Sequence, residues 1–216
     1  MKKSNPPSPK IRRFRTDYSG TVEIVEDDGE VYMDTAHANY SYGTLQRILA
    51  AGLKDIDINS VRQVLLLGLG GGSVVKTLRE AFDYTGQITA VELDKAIIGI
   101  AQYEFGLISD KKLNIIHGDA LQVVSNLDSR FDLIIIDLFI HTEVPEVFYE
   151  PPFWMDIHRL LSKRGTFLFN ASVGRKGMRA LRDLKEMMGG HFQFRQLDGV
   201  EDANSLLFGK HKSQPG

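Results

Sequence analysis

The chain has no cysteine among its 216 residues. That excludes a disulfide framework, a zinc–cysteine centre and a thiol nucleophile, and it fits a reducing compartment. Long hydrophobic runs are missing as well. The longest, such as "LIIIDLFI", are too short to cross a bilayer and carry an aspartate. Nor does one sign of charge dominate: 26 Lys and Arg stand against 28 Asp and Glu, a net charge of −2. Neither nucleic acid nor an acidic membrane is singled out as a partner. The basic start "MKKSNPPSPKIRRFR" lacks the apolar segment of a secretory signal, and its prolines argue against an amphipathic targeting helix. Residues 1–16 therefore read as a flexible tail, and cytoplasmic residence is the expectation. No Gly-x-Ser-x-Gly elbow, Walker loop or His-Glu-x-x-His is present. His37, His117, His158, His191 and His211 are scattered without ligand spacing, so no metal is expected.

What is present organises the chain into residues 17–54 and 55–216. In the first, "TVEIVEDDGEVYMD" alternates apolar positions on both sides of Asp28-Gly29, a pair that accepts the positive φ of a tight hairpin turn. "YGTLQRILAAGL" then reads as a short helix ending at Gly52. In the second, five apolar strand runs ("QVLLLG", "QITAVEL", "LNIIHGD", "FDLIIIDL", "GTFLFNA") alternate with helical stretches. Continuous apolar strands separated by helices predict a parallel sheet covered on both faces. "HFQFRQLD" and "NSLLFGKH" follow with only a polar loop between them, and so predict an antiparallel pair at the end of the sheet. Five parallel strands closed by such a pair are the plan of S-adenosylmethionine-dependent transferases. A nicotinamide-binding domain would continue with parallel units instead. Phe153 and Trp154, on a helix, are expected in the core.

The first parallel strand runs into "GLGGGS", and glycines there let the backbone turn sharply and approach a ligand. Gly68, Gly70 and Gly72 are the expected contacts to the cofactor's methionine end. This loop alone suits NAD, FAD and S-adenosylmethionine equally. The second strand ends in "AVELDK", which puts Glu92 where an acid accepts both ribose hydroxyls. Asp94 either contributes there or caps the next helix. Asp119, followed by Ala120, ends the third strand and either accepts from an adenine amino group, caps a helix, or does both. Asp137 ends the fourth strand, beside the place of a sulfonium, and the long loop after it brings His141, Thr142 and Glu143. Asp137 is expected to orient or deprotonate a nucleophile, with His141 as an assisting base. Tyr40 and Tyr42, after the hairpin, are expected to cover the site with it as a lid, and Glu143 to meet the substrate.

"VLLLGLGGGSVVKTLRE", "VELDKAII", "IIHGDALQVV" and "FDLIIIDLF", in that order, make the chain resemble the spermidine synthase (aminopropyltransferase) family over most of its length. The resemblance implies a Rossmann-like α/β fold of the class I S-adenosylmethionine-dependent methyltransferase type, with a mostly parallel seven-stranded sheet, a C-terminal antiparallel hairpin and a small N-terminal β-hairpin. It also implies adenosyl-cofactor binding by the matching residues, and a homodimer. Two departures matter. The family usually carries an aspartate inside the glycine loop, where Gly71 stands here, and a second one three positions after the catalytic aspartate, where Ile140 stands. Buried ammonium groups of a polyamine would be poorly compensated without them. The "D-x-F…VP…F" loop (Asp137, Phe139, Val144, Pro145, Phe153) is similar instead to a compact spermidine synthase-like branch of methyltransferase-like proteins. Methyl transfer from S-adenosylmethionine to a small-molecule or protein acceptor is therefore the leading expectation. Aminopropyl transfer from the decarboxylated cofactor, with Glu143 or Glu146 as relocated acids, and a non-catalytic adenosyl-binding protein are the alternatives.

Overall fold

In the strand "FDLIII", Leu133 and Ile135 join one apolar layer while Ile134 and Ile136 join the other. That is the period-2 signature of a strand buried on both faces. The computed structural model describes residues 8–35, 44–140, 143–171, 175–201 and 204–213, and in these it builds two sheets. The parallel strands are β4 (Gln63–Leu67), β5 (Gln87–Glu92), β6 (Leu113–His117), β7 (Phe131–Ile136) and β8 (Leu161–Ala171). β9 (Phe192–Val200) and β10 (Asn204–His211) complete the larger sheet, in the order β6-β5-β4-β7-β8-β10-β9, with β10 antiparallel to both neighbours. The chain starts in the middle at β4, winds outward to β6, then crosses back to β7, so the order reverses between β4 and β7. Ligands of open α/β sheets bind at that reversal, outside the carboxyl ends of the strands.

Helices cover both faces. Helices α1 (Thr44–Leu53), α2 (Ser73–Glu80) and α3 (Lys95–Phe105) bury Ile48, Leu49, Leu53, Val74, Val75, Leu78 and Ala101 against one. Helices α4 (Ala120–Asn126), α5 (Pro151–Leu160) and α6 (Arg175–Met188) bury Val124, Trp154, Ile157, Leu181 and Leu184 against the other. Pro151 opens α5, where its missing N–H and fixed φ are no handicap. Trp154, fully buried, packs edge-on or tilted against Phe153, Phe167, Phe169 and Phe192. Its Nε1–H donates to the Phe148 carbonyl at 2.9 Å, which satisfies the ring's one polar atom and ties the loop after β7 to α5.

The N-terminal region differs from the sequence expectation. The hairpin exists as β2 (Thr21–Asp27) and β3 (Glu30–Thr35), turning at Asp28 (φ 49°) and Gly29 (φ 82°) as the motif requires. Lys10–Arg15, assigned above to a flexible tail, is a strand, β1, paired antiparallel to β2. Its apolar content is too low for a strand pattern. A six-residue backbone ladder to β2 pairs it, and Phe14 packs on the apolar cluster below. Exposed charge pairs cross the ladder, Arg13 to Glu23 at 2.7 Å and Lys10 to Glu26 at 3.3 Å. Arg12 donates both terminal nitrogens to Glu104 on α3, at 2.7 and 2.6 Å. Val22, Ile24 and Met33 pack on Ile97 and Ile100, so the small sheet sits on α3. Tyr40 and Tyr42 lie outside the described residues, as does His37. No helix among the described residues is long and apolar enough to cross a membrane.

Three of the histidines that look scattered in sequence converge at the amino edge. The His158 ring, near the end of α5, lies 4.4 Å from that of His211 on β10 and 5.2 Å from that of His191 before β9. Burial, then His211, His191 and Arg130, hold His158 below the usual imidazole range. The unfolded chain therefore takes this proton more readily, and the stability present above about pH 6.5 is lost as the pH falls through the folded value. Replacing His158 with Phe should reduce the fall in thermal midpoint between pH 7.5 and 5.5, measured by scanning calorimetry. Identical falls in both proteins would reject the cluster as the acid-sensitive element.

Candidate functional site at the carboxyl edge

The glycine loop leaves β4 at Gly68, whose φ of 92° belongs to the left-handed region. A Cβ at Gly68 would overlap the backbone carbonyl of Asp137. Gly68 N–H donates to the Val91 carbonyl at 3.0 Å and Asp137 N–H to the Leu67 carbonyl at 2.8 Å, so the ladder continues one residue past the strands. Gly70 has nothing within 4 Å of its Cβ position among the described residues, which leaves room there for a ligand to approach its backbone. Gly72 is the left-handed N-cap of α2. At Gly71 a Cβ would lie 3.3 Å from Phe105 and 3.4 Å from Met33. The position where the family carries a loop aspartate thus faces an apolar wall built by α3 and the N-terminal sheet.

The Glu92 carboxylate holds the loop in place. Its Oε2 accepts from Leu69 N–H (3.2 Å) and Gly70 N–H (3.0 Å), and its Oε1 from Asp94 N–H (3.0 Å). A carboxylate offers about four acceptor sites, so roughly one remains rather than the pair expected for two ribose hydroxyls. Burial pushes the Glu92 pKa up against the lowering effect of these three N–H groups.

Asp94 has the capping role of the two read from sequence. Its Oδ1 accepts from Ala96 N–H at 2.9 Å to cap α3, and its Oδ2 accepts from Tyr18 N–H at 3.1 Å, with the residue 1% exposed. It is a structural acid that locks the turn between β1 and β2 onto the main domain. Asp119 likewise caps α4, its Oδ1 accepting from Leu121 N–H at 2.9 Å, while Oδ2 accepts no bond among the described residues. Ala120, the first residue of α4, is buried.

Asp137 is the reactive-looking acid. Burial raises its pKa to about 6, against the lowering effect of one donor, the Asn170 Nδ2–H at 2.9 Å from Oδ1. Asn170 in turn accepts from Asn204 Nδ2–H at 2.7 Å. The sequence reading missed both asparagines. Their signal was one carboxamide ending the apolar run "GTFLF" and another opening "SLLF", on strands expected to lie near one edge. Beyond Asp137, Ile140 and Glu143 bond through their backbones at 3.0 and 3.2 Å, with both residues exposed. Glu146 pairs with Lys176 of α6 at 2.6 Å, so it is not a free acid. His141 and Thr142 lie outside the described residues. No cluster able to ligate a metal occurs among the described residues.

The edge therefore brings together Gly68, Gly70, Glu92, Asp119 and Asp137, and turns Asp94 away into protein. Changing Glu92 to Gln puts an NH₂ against backbone donors and should cost about 1–3 kcal/mol of stability in a denaturant titration. An unchanged unfolding midpoint would mean that the loop does not depend on this carboxylate.

Comparison with known proteins bears on the fold and the family. The structure superposes on a probable spermidine synthase from Corynebacterium glutamicum with a TM-score of 0.67, 18% identity, and coverage of 100% of this chain and 83% of that one. Human methyltransferase-like protein 13 in complex with SAH gives a TM-score of 0.59, at 20% identity and coverage of 79% and 81%. At this identity the likeness shows the shared Rossmann-like methyltransferase fold. Among curated sequences, an eEF1A lysine and N-terminal methyltransferase of Danio rerio is 30% identical over 143 residues, 59% of this chain and 21% of that protein. A polyamine aminopropyltransferase of Neisseria meningitidis is 30% identical over 116 residues, 53% of this chain and 44% of that protein. The chain thus spans less than half the length of either curated relative. The spermine/spermidine synthase domain model matches residues 45–195, from α1 into β9. With the glycine loop, Glu92, Asp119 and Asp137 all inside that match, the chain belongs to the spermine/spermidine synthase domain family.

Proposed function

We propose that the chain is a transferase that uses S-adenosylmethionine to methylate a nitrogen or oxygen nucleophile on a small-molecule or protein acceptor. The observation that carries this reading is the replacement, at the switch point, of both family acids by Gly71 and Ile140. Gly71 faces Phe105 and Met33, and Ile140 is an exposed apolar residue. Decarboxylation leaves the cofactor's ammonium group without its neighbouring carboxylate, and that ammonium would find no counter-charge at either position. Its relationship to a protein methyltransferase of Danio rerio supports a protein acceptor, and its relationship to an aminopropyltransferase keeps the decarboxylated cofactor as the second reading.

The chain's residues fit an adenosyl group. The space in front of Gly70 admits a ligand to the loop backbone. Glu92 keeps about one acceptor site for a ribose hydroxyl, and Asp119 keeps a carboxylate oxygen for an adenine amino group, with Ala120 beside it. S-adenosylmethionine, when bound, supplies a methyl group activated by a positive sulfonium. Asp137, with Oδ2 accepting no bond among the described residues, would offset that charge and hold the nucleophile or its proton. Orienting the nucleophile supplies much of the rate in such transfers. Tyr40 and Tyr42 as part of a lid, His141 as an assisting base and Glu143 as a contact to the acceptor stay as proposals, and residence in the cytoplasm and a homodimer are proposed with them.

Calorimetric titration with S-adenosylmethionine and with its decarboxylated form separates the readings. Tighter binding of the carboxylated cofactor is expected, and the opposite order would establish the aminopropyl reading instead. Adenosyl binding with no turnover against any amine, metabolite or protein acceptor would favour a non-catalytic adenosyl-binding protein. Changing Gly71 to Asp should not restore affinity for the decarboxylated cofactor. Its carboxylate would meet Phe105 and Met33, and the change should cost about 1–3 kcal/mol of stability.

A pH test follows from Asp137. Its protonated form cannot offset a sulfonium, so affinity for S-adenosylmethionine should rise with pH through about 6 and level off above. The neutral thioether S-adenosylhomocysteine should lack this step, and Asp137→Asn should abolish it. A step of equal size for both ligands would remove Asp137 from the sulfonium's side.

A further inference from the structure

Asn170 and Asn204 are buried amides with a defined polarity. Asn170 is 0% and Asn204 9% exposed, on neighbouring antiparallel strands, in a sheet whose remaining inner positions are almost all apolar. Asn170 lies opposite Leu206, and Asn204 two residues earlier on β10 is its diagonal neighbour on the same face. The β9–β10 ladder slips register between Asn204 and Leu206, an irregularity of the kind that re-aims side chains. On the other side, Ile136 pairs with Phe169, which brings the next residues, Asp137 and Asn170, to adjacent strand ends. The three side chains form one chain of bonds: Asn204 Nδ2–H to Asn170 Oδ1 at 2.7 Å, then Asn170 Nδ2–H to Asp137 Oδ1 at 2.9 Å.

A carboxamide has a donor end and an acceptor end, and either could face Asp137. Only one arrangement satisfies both neighbours while Asp137 is ionised, because a carboxylate only accepts. Asn204 donates, so the Asn170 carbonyl must turn toward it, and the Asn170 NH₂ must then turn toward Asp137. We infer that Asn170 is a positioning residue, oriented by Asn204, that presents a donor to Oδ1 of Asp137, keeps that acid ionised, and leaves Oδ2 as the oxygen available to the transferred group's surroundings.

This role rests on Asp137 being the acid beside the transferred group, as proposed above. Burial raises the Asp137 carboxyl, and the Asn170 N–H opposes it; no charged side chain among the described residues adds to either influence. Without Asn204, the Asn170 amide is free to rotate and offer its carbonyl, which favours the protonated acid. A purely structural pair of asparagines would affect stability and leave the titration of Asp137 where it is.

The test compares the wild type, Asn170→Leu and Asn204→Ala. The first measurement is the side-chain carboxyl titration of Asp137 by carbon-13 NMR on the free protein, which needs no ligand. Wild type should titrate at about 6. Asn170→Leu should move the midpoint up by about one unit, and Asn204→Ala in the same direction by less. The second is the affinity for S-adenosylmethionine at pH 6 and pH 8. A one-unit rise lowers the ionised fraction at pH 6 about fivefold, so binding to Asn170→Leu should weaken by that factor there and be near wild type at pH 8. If Asn170→Leu does not fold, Asn204→Ala carries the same comparison. Folded variants with an unmoved Asp137 midpoint overturn the inference. A shifted midpoint in a protein that binds no adenosyl compound upholds the relay and overturns the proposed function, so the two failures are distinguishable.

Discussion

Leaving β4, the backbone at Gly68 passes so close to the carbonyl oxygen of Asp137 that no side-chain carbon fits between them. This approach joins the two strands at which the sheet reverses direction, and the rest of the carboxyl edge is arranged around it. It sets where Asp137 stands relative to the glycine loop, and thus the distance between any ligand on that loop and the acid. The loop has no regular structure of its own to hold it there. Glu92, one strand away, supplies the restraint by collecting the amides of Leu69, Gly70 and Asp94 on one carboxylate. A buried carboxylate with three backbone donors is rigid in a way that a glycine loop alone is not.

Two acids at this edge are pushed toward neutrality by burial, and they are treated differently. Glu92 has three N–H groups to hold its charge and serves the backbone. Asp137 has one donor and a second oxygen that no described residue occupies. An acid left under-satisfied near neutral pH is costly to the fold and useful to chemistry, and perturbed carboxyls of this kind collect at functional sites. The neighbouring Asp94 shows the alternative: it has the same side-chain chemistry, but both its oxygens are engaged by backbone and almost none of it is exposed, so it contributes to architecture alone.

The N-terminal sheet belongs to the same arrangement. It is attached through Arg12 to Glu104, through Tyr18 to Asp94, and through an apolar seam to α3. By that docking it delivers Met33 to the wall beside Gly71. The wall beside the glycine loop is therefore shaped partly by a sheet that contributes no strand to the larger one.

Much of this was legible in the amino-acid sequence. Apolar runs separated by helical stretches determine a parallel sheet, because strands buried on both faces must be apolar throughout. Asp28-Gly29 determines its turn, because few other pairs accept positive φ twice. The glycines and the acids at successive strand ends mark one edge of the sheet, because the carboxyl ends of parallel strands converge there. Other features required the tertiary structure. β1 carries too little apolar pattern to announce itself and forms by backbone pairing with β2 and by docking on α3. The choice of Asp94 as a cap and Glu92 as a loop anchor depends on which amides lie within about 3 Å. The convergence of His158, His191 and His211, and the chain of bonds from Asn204 through Asn170 to Asp137, join elements far apart in sequence. Local propensity carries no information about such contacts, since only the packing of the sheet decides which buried polar groups become neighbours.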